Sequence, residues 1–501
     1  MNSANPANTS SAHPGQRGLV FNEPPIFELG SAGRRTPSLP ACDVPEVELE
    51  TLLSPDETRD SIEGFPELSE LEVVRHFTRL SQWNFSIDAN FYPLGSCTMK
   101  YNPKINDQLA SMSDFSGVHP YAPEDFCQGS LQVLFELQES LKEISGLDAI
   151  CLQPAAGAQG ELAGMLMIHA YHESRGDQRS KILLPDSAHG TNPASATLCG
   201  YKSIPLPSNA EGLIDLKKLN DLMDEDTAGI MLTNPNTLGM FEAQILEITK
   251  AVHAKGGLVY CDGANLNAIM GKMRLGATGI DVMHFNLHKT FSTPHGGGGP
   301  GAGPVGVGKI LEPFLPTPLI EKQGNRFVLN CNRPQSIGRL RTFYGNFGIL
   351  LRAYAYIRSL GKEGIQRAAE MAVLNANYIK ARLRDEFNLP YPGASLHECV
   401  FDNKHQRPLS TLDIAKALID CGFHPPTVYF PLIVKNALMV EPTETESKET
   451  LDQFIAAMRE ISANGKADPD RYHDAPEFPV ASRPDEARAA RNPILRWKRA
   501  D

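Results

Sequence analysis

Four short apolar runs, each closing on a polar residue, limit what this chain can fold into. They are "KILLPD" ending at Asp186, "AGIMLTNP" containing Asn234, "GLVYCDGAN" containing Asp262 and "DVMHFNLHK" ending at Lys289. Runs this short, without polar residues at every second position, read as strands buried on both faces. Amphipathic stretches lie between them and supply crossover helices, so the expected fold class is α/β with a mostly parallel central sheet. Ligands of such sheets sit beyond the carboxyl ends of the strands. That rule gathers Asp186, Asn234, Asp262 and Lys289 at one edge of the sheet.

The 501 residues exceed what one core holds, since single cores stop growing near about 250 to 300 residues. Residues 1–20, rich in Ser, Asn, Ala and Pro without an apolar run, read as a disordered lead-in and not as a signal peptide. Residues 21–101 read as an arm rich in Pro and turn residues, wrapped on a larger body. Its one good helix runs from Glu70 to Leu80 behind the cap Ser69. Residues 102–344 carry the strand and helix alternation of a large domain. Residues 345–464, with a periodic stretch from Ile365 to Phe387, read as a smaller C-terminal α/β domain, and 465–501 as an extended tail.

The net charge of −12, from 47 Lys and Arg against 59 Asp and Glu, argues against nucleic acid or an anionic membrane as the main partner. No segment approaches the ~18 to 20 apolar residues that a membrane helix needs. Nine Cys, an odd number with no CxxC spacing, are expected as reduced thiols in the cytoplasm.

Lys289 follows an apolar run, where desolvation lowers an amine's pKa and suits it to form a Schiff base. Taken alone it is equally a lysine snorkelling out of a strand end. Asp262, followed by Gly263 and Ala264, is the carboxylate that a pyridinium nitrogen needs to stay protonated. At ~3 to 4 Å and an effective dielectric of ~20 that pairing is worth roughly 4 to 6 kcal/mol before desolvation costs. Its plain alternative is a helix cap. In "QPAAGAQGELAGML", Ala156, Gly157, Ala158 and Gln159 open a helix whose N–H groups and dipole can receive a phosphate. His189 in "DSAHGTNPASA" is placed to stack on an aromatic cofactor. In "LTNPNTLGM", Thr233, Asn234 and Asn236 end another strand, where an amide can donate to a phenolate or simply form an Asx turn. No piece decides alone; the five in this order converge.

The same segments resemble fold-type-I pyridoxal-phosphate enzymes of the aspartate aminotransferase kind. More closely, "NFSIDANFYPLGSCTMKYNPKIN", "DSAHGTNPASA", "CDGANLNA", "HFNLHKTFSTPHGGGGPGAGPVGV", "TVYFPL" and "EPTETESKE" look like the P-protein of the glycine cleavage system, over about Phe27 to Trp497. That family occurs as one fused chain or as two homologous subunits, and Lys289 with this length matches the lysine-bearing subunit 2. The resemblance implies glycine decarboxylation through a pyridoxal 5'-phosphate Schiff base and transfer of the aminomethyl group to the lipoyl disulfide of the H-protein. Lys289, Asp262 and His189 would be catalytic. Ala264, Thr191 and His288 would join Ala156 to Gln159 and Asn234 around the cofactor. Tyr92, Ser96, Cys97 and Lys100 would line a substrate channel, with ordinary packing as their alternative. The partners implied are glycine, subunit 1, two copies of each subunit, and lipoylated H-protein. Two other readings stay open, another type-I enzyme acting on a small amino acid and a silent scaffolding subunit. The presence of both Lys289 and Asp262 argues against the latter.

Three motifs point elsewhere and fail on context. Gly301, Gly303 and Gly306 spell a dinucleotide fingerprint, but Pro294 and four glycines separate them from any strand, and Pro304 and Val305 open no helix. The stretch from Gly303 to Lys309 almost spells a P-loop, yet Ile310 stands where a Ser or Thr would hold magnesium. A loop of close approach over the cofactor explains the glycines better. The pairs His169/His172 and His284/His288 have metal-site spacings, but on a strand His284 and His288 lie too far apart to chelate, and no metal is expected.

Overall fold

Alternate residues of the strands point into two different cores, which is why the runs are apolar throughout. The computed structural model describes residues 23–35, 40–41, 43–296 and 301–498. The lead-in over 1–20, Cys42 and residues 297–300 of the glycine run lie outside the described residues. The chain divides into two compact units, residues 1–86 with 476–501, and residues 87–475.

The second unit is built on seven strands: β1 (Ala149–Cys151), β2 (Lys181–Pro185), β3 (Lys202–Leu206), β4 (Thr227–Thr233), β5 (Leu258–Gly263), β6 (Val282–Phe285) and β7 (Val305–Val307). They are ordered β1-β7-β6-β5-β4-β2-β3. Strands β2 to β6 pair in parallel, and β7 is antiparallel to both β6 and β1. In β5, Val259 and Cys261 join one core with Leu183, Ile230 and Phe285. Leu258 and Tyr260 join the other with Ile182, Met231 and Val282. Helix Gln128–Ser145 covers the first core through Leu134, Leu137 and Leu141, and helix Gly157–Ser174 covers the second through Met165 and Ile168.

A hairpin of β8 (Leu319–Gln323) and β9 (Arg326–Asn330) follows. The run of helix Phe347–Leu383 is broken at Gly361, whose φ of 59° leaves the helical region, so it is two helical segments. The first presents Leu350 to the sheet core, and the second presents Ile379 and Leu383 to a separate core with Phe387, Phe401 and Phe454. That core lies under a small antiparallel sheet of β10 (Cys399–Asp402), β11 (Thr427–Val428) and β12 (Ala437–Val440), in the order β10-β12-β11. Residues 87–101, grouped with the arm on composition, pack in this unit. Leu94 bridges to Val440, and Phe91 enters the small-sheet core, so apolar burial wins over a turn-rich composition.

In the first unit the expected helix forms as Glu70–Ser81. Ser69 and Glu72 close a capping box, and His76 pairs with Glu23 at 2.8 Å. The tail is not extended throughout: Glu486–Arg491 is helical, with Asp485 accepting from the Arg488 N–H. Among the described residues no helix is long and apolar enough to cross a membrane.

Candidate active site

Register alone brings three polar side chains together. Thr233 of β4 lies opposite Asp262 of β5, and Asp262 lies opposite His284 of β6. Asp262 is buried; its Oδ1 accepts from the Ala264 N–H at 3.0 Å and its Oδ2 from the Asn192 amide at 3.4 Å. His284 presents Nε2 to Asp262 Oδ1 at 3.6 Å. Burial lowers the pKa of this imidazole and leaves it neutral. Burial also holds the Tyr260 hydroxyl well above its usual range, so Tyr260 keeps its proton and donates to His284 Nδ1 at 2.5 Å. The remaining ring proton is therefore on Nε2, facing Asp262.

Lys289 does not end a strand. β6 stops at Phe285, and Lys289 sits on the one-turn helix Leu287–Thr290 just beyond it. Thr290 Oγ1 accepts from the Leu266 N–H at 2.9 Å, which ties the lysine turn to the loop that follows Asp262. Among the described residues no group accepts a hydrogen bond from Lys289 Nζ.

Helix Gly157–Ser174 starts without a side-chain cap and without an acidic residue in its first turn. A Cβ on Gly157 would come within 2.8 Å of Asn286 Oδ1, a buried acceptor with no partner. A Cβ on Gly303 would stand 2.1 Å from the Ala156 carbonyl. The glycine run thus passes directly against the helix start, and Gly306 lies within β7 instead of opening a helix. The Gln159 side chain is engaged in the turn, accepting from the Ala155 N–H at 2.7 Å and donating to the Leu340 carbonyl at 3.2 Å. Ala158 is the second residue of the same helix.

His189 shares a hydrogen bond of 3.0 Å with Thr191 Oγ1, and burial lowers its pKa. Asn234 is fully buried; its Oδ1 accepts from the Glu242 N–H, while its Nδ2 has no partner. Asn236 is spent on a turn, accepting from the Leu238 and Met240 N–H groups and donating to the Gly212 carbonyl. His288 packs edge-on to His295, and burial brings its pKa down to about 3. Of the other pair with metal-site spacing, for which no metal is expected, His172 bonds the Ala228 carbonyl at 3.0 Å.

Of the channel candidates, Tyr92 stacks on His424 at 3.6 Å, and the Ser96 N–H donates to Glu398. Burial pushes the Cys97 thiol up, with the charge of Lys289 acting the other way. Lys100 lines no channel. It is 2% exposed, and its ammonium is engaged by Asn267, the Thr290 carbonyl, Tyr356 and Glu444.

The sequence reading missed Glu161, Glu398, Glu441 and His397. Glu161 accepts from Thr191 and Ser195, and burial, helped by the charge of Asp262, raises it to about 7. No local signal separates Glu161 from a surface helix glutamate, and Glu441 lay unremarked inside "EPTETESKE". A buried carboxylate near the end of β5, an uncapped helix start with no side chain at Gly157, and Asn234 Nδ2 and Asn286 Oδ1, without partners among the described residues, fit a flat aromatic group carrying a phosphate. Pyridoxal phosphate is such a group.

The chain matches the family model described as glycine dehydrogenase, C-terminal domain, over residues 368–482, and that of aminotransferase class-V over residues 160–298. A probable glycine dehydrogenase (decarboxylating) subunit 2 of Bacillus velezensis is 54% identical over 477 residues, 95% of this chain and 97% of that protein. A protein of the same description from Oceanobacillus iheyensis is 55% identical over 479 residues, 95% of this chain and 99% of that one. Among solved structures, an inhibitor-bound glycine decarboxylase (P-protein) of the glycine cleavage system superposes with a TM-score of 0.70 at 23% identity, over 83% of this chain and 95% of that chain. The cysteine desulfurase CsdA of Escherichia coli superposes with a TM-score of 0.59 at 16% identity, over 75% and 95%.

Proposed function

Because the chain belongs to the family of glycine dehydrogenase (decarboxylating) subunit 2, we propose that it decarboxylates glycine at the Lys289 pocket and passes the aminomethyl group to the lipoyl disulfide of an H-protein. It is a pyridoxal-phosphate enzyme of fold type I. The observation that carries the reading is the meeting of Lys289, Asp262 and the uncapped Gly157 helix start in one unit of the fold.

When bound, pyridoxal phosphate supplies a carbonyl that takes up an amino group and a ring that accepts the electron pair released as a carboxylate leaves. Lys289 would hold the cofactor through Nζ, and its amine, when free, would move a proton at that atom. Asp262, oriented by the Ala264 N–H and the Asn192 amide, would keep a proton on the ring nitrogen. Neutral His284 turns Nε2–H toward that carboxylate without adding a competing positive charge. His189, hydrogen-bonded to Thr191, would stack on the ring, and Ala264, whose N–H holds Asp262, would leave room for it. Asn234 Nδ2 is a free donor for the ring oxygen. The N–H groups of Ala156, Gly157, Ala158 and Gln159 receive the phosphate, with His288 nearby. Tyr92, Ser96 and Cys97 stand on the approach side.

The reading extends to domains, partners and place. Residues 102–344 would form the cofactor domain and 345–464 the small domain. Two copies would assemble with two of subunit 1, in the cytoplasm, and receive the lipoylated H-protein. The test assembles both subunits with lipoylated H-protein and follows CO2 release from glycine and the mass of the H-protein. Lys289→Ala should lose the borohydride-reducible chromophore and both products. CO2 release by that variant, or wild-type CO2 release with no gain of mass on the H-protein, would overturn the reading.

A further inference from the structure

A second buried cluster lies outside the groups assigned to the cofactor. His397 and Glu398 stand at the entry to β10, and Glu441 directly follows β12. A ring nitrogen of His397 and one carboxylate oxygen of each glutamate lie within 4.8 Å of one another, and all three residues are buried. Glu441 is well supplied with donors: Oε1 accepts from the Thr98 hydroxyl at 2.6 Å and the Asn265 amide at 2.8 Å, and Oε2 accepts from the Thr98 N–H at 3.0 Å. Among the described residues Glu398 accepts from the Ser96 N–H alone, at 2.9 Å. His397 Nε2 stands 3.7 Å from Glu398 Oε1, beyond hydrogen-bonding reach, and His397 Nδ1 is buried without a partner.

Two carboxylates this close and this dry do not both ionise, and the one with fewer donors keeps the proton. Burial raises both glutamates, and the charge of Glu441 raises Glu398 further, well above the ordinary range. The charged and titratable groups facing the pair are Lys289, His397 and Cys97. Lys289 opposes the rise, burial takes His397 down to about 3, and burial pushes the Cys97 thiol up, so the last two stay neutral. The donor set is also that of a cation site. However, the positive charge of Lys289 acts on all three members, and three donors already occupy Glu441, so a proton is the better occupant.

We propose that Glu398 and Glu441 form a proton-holding pair beside Lys289, with the proton resident on Glu398, and that Glu398 gives it to the sulfur displaced when the lipoyl disulfide opens. This rests on the transfer reading above. As CO2 leaves, the electron pair of the broken carbon–carbon bond forms the new carbon–sulfur bond. The sulfur–sulfur bond breaks, its pair passes to the second sulfur, and the disulfide is reduced as the glycine carbon is oxidised. Glu398 protonates that thiolate, becomes a carboxylate, and is reloaded from water.

The test compares wild type, Glu398→Gln and Glu441→Gln in the assembled holoenzyme. Infrared difference spectra at about pH 8.5 lie above Glu161 and Glu446, both brought to about 7; Glu242, which burial also raises, is the same in all three proteins and cancels in the comparison. Wild type should show a protonated-carboxyl band that Glu398→Gln lacks. Glu441→Gln should retain the band but lose it at lower pH than wild type, because the neighbouring charge is gone. Transfer to the H-protein should fall by about 100-fold or more in Glu398→Gln, with the glycine-induced absorbance change kept as the sign of an intact fold. An unchanged band in Glu398→Gln, or that variant transferring at the wild-type rate across the pH range, overturns the proposal. Failure of the wild type to load the H-protein would instead defeat the transfer reading and the acid's role in it, while the band still reports where the proton resides.

Discussion

Lys100 donates to the carbonyl of Thr290, the residue after Lys289, at 2.7 Å. Burial opposes its charge, but Glu444 and Tyr356 outweigh that and hold the ammonium above its usual range. The turn that bears Lys289 is therefore anchored by a second, buried lysine. Removing one partner of a buried pair leaves the other charge unmatched, so Lys100→Ala should cost about 3 to 5 kcal/mol in denaturant unfolding. Lys100→Met combined with Glu444→Gln removes both charges and takes the lysine donor from the Thr290 carbonyl and from Asn267 Oδ1. The double variant should lie within about 1 to 3 kcal/mol of wild type. A double variant as unstable as the single would show that the ion pair is not what Lys100 contributes.

Asp262→Asn keeps the shape of the pocket floor but removes the charge that a ring nitrogen needs. The borohydride-reducible chromophore at Lys289 should persist. Glycine-dependent CO2 release should fall by about a hundredfold or more, less than the roughly thousandfold that 4 kcal/mol alone implies, because desolvation offsets part of the roughly 4 to 6 kcal/mol of the ion pair. Near-normal CO2 release would show that the carboxylate is not the ring's partner.

Glu161 makes stability depend on pH. Burial and the charge of Asp262 raise it from 4.5 to about 7, so the folded chain holds a proton there that the unfolded chain has lost. Its contribution is complete below pH 4.5 and disappears as pH rises through 7. In cofactor-free protein, Glu161→Gln should flatten the loss of stability across this window and leave the chain more stable at about pH 8 by roughly 2 to 3 kcal/mol. Glu446, also raised to about 7 by burial, keeps some of the slope. Denaturant midpoints measured across the window decide; parallel curves for the two proteins would rule the assignment out.

What was legible followed from local pattern. Asp262 and Asn234 close apolar runs long enough to read as strands, and a parallel sheet places such residues at one edge. Lys289 reads from the sequence as the end of a strand, because its one-turn helix is too short to show a period. Glu441 gains its meaning from Thr98 and Asn265, and Glu398 from Ser96, partners far away in sequence that no periodicity announces. Lys100 failed for the same reason, since all its partners are remote residues and composition alone left it on an open arm.

Leu71, Val74 and Phe77 lie along one face of helix Glu70–Ser81 and are 54%, 55% and 54% exposed. Val44, Val47, Leu52, Ile62 and Phe65 of the same unit are exposed as well. An apolar surface of this extent suits an interface, and on the proposed function its partner is subunit 1. The interface should bury more than about 2,000 Å², as obligate pairs do. The isolated chain should therefore be nearly inactive in glycine decarboxylation and gain activity on mixing with subunit 1. Leu71→Glu with Val74→Glu should weaken assembly without unfolding the chain, because neither side chain contributes to a core. Light scattering of each chain and of the mixture, beside CO2 release with lipoylated H-protein, measures both effects. Full activity from the isolated chain would defeat the two-subunit claim while leaving Lys289 and Asp262 in their roles.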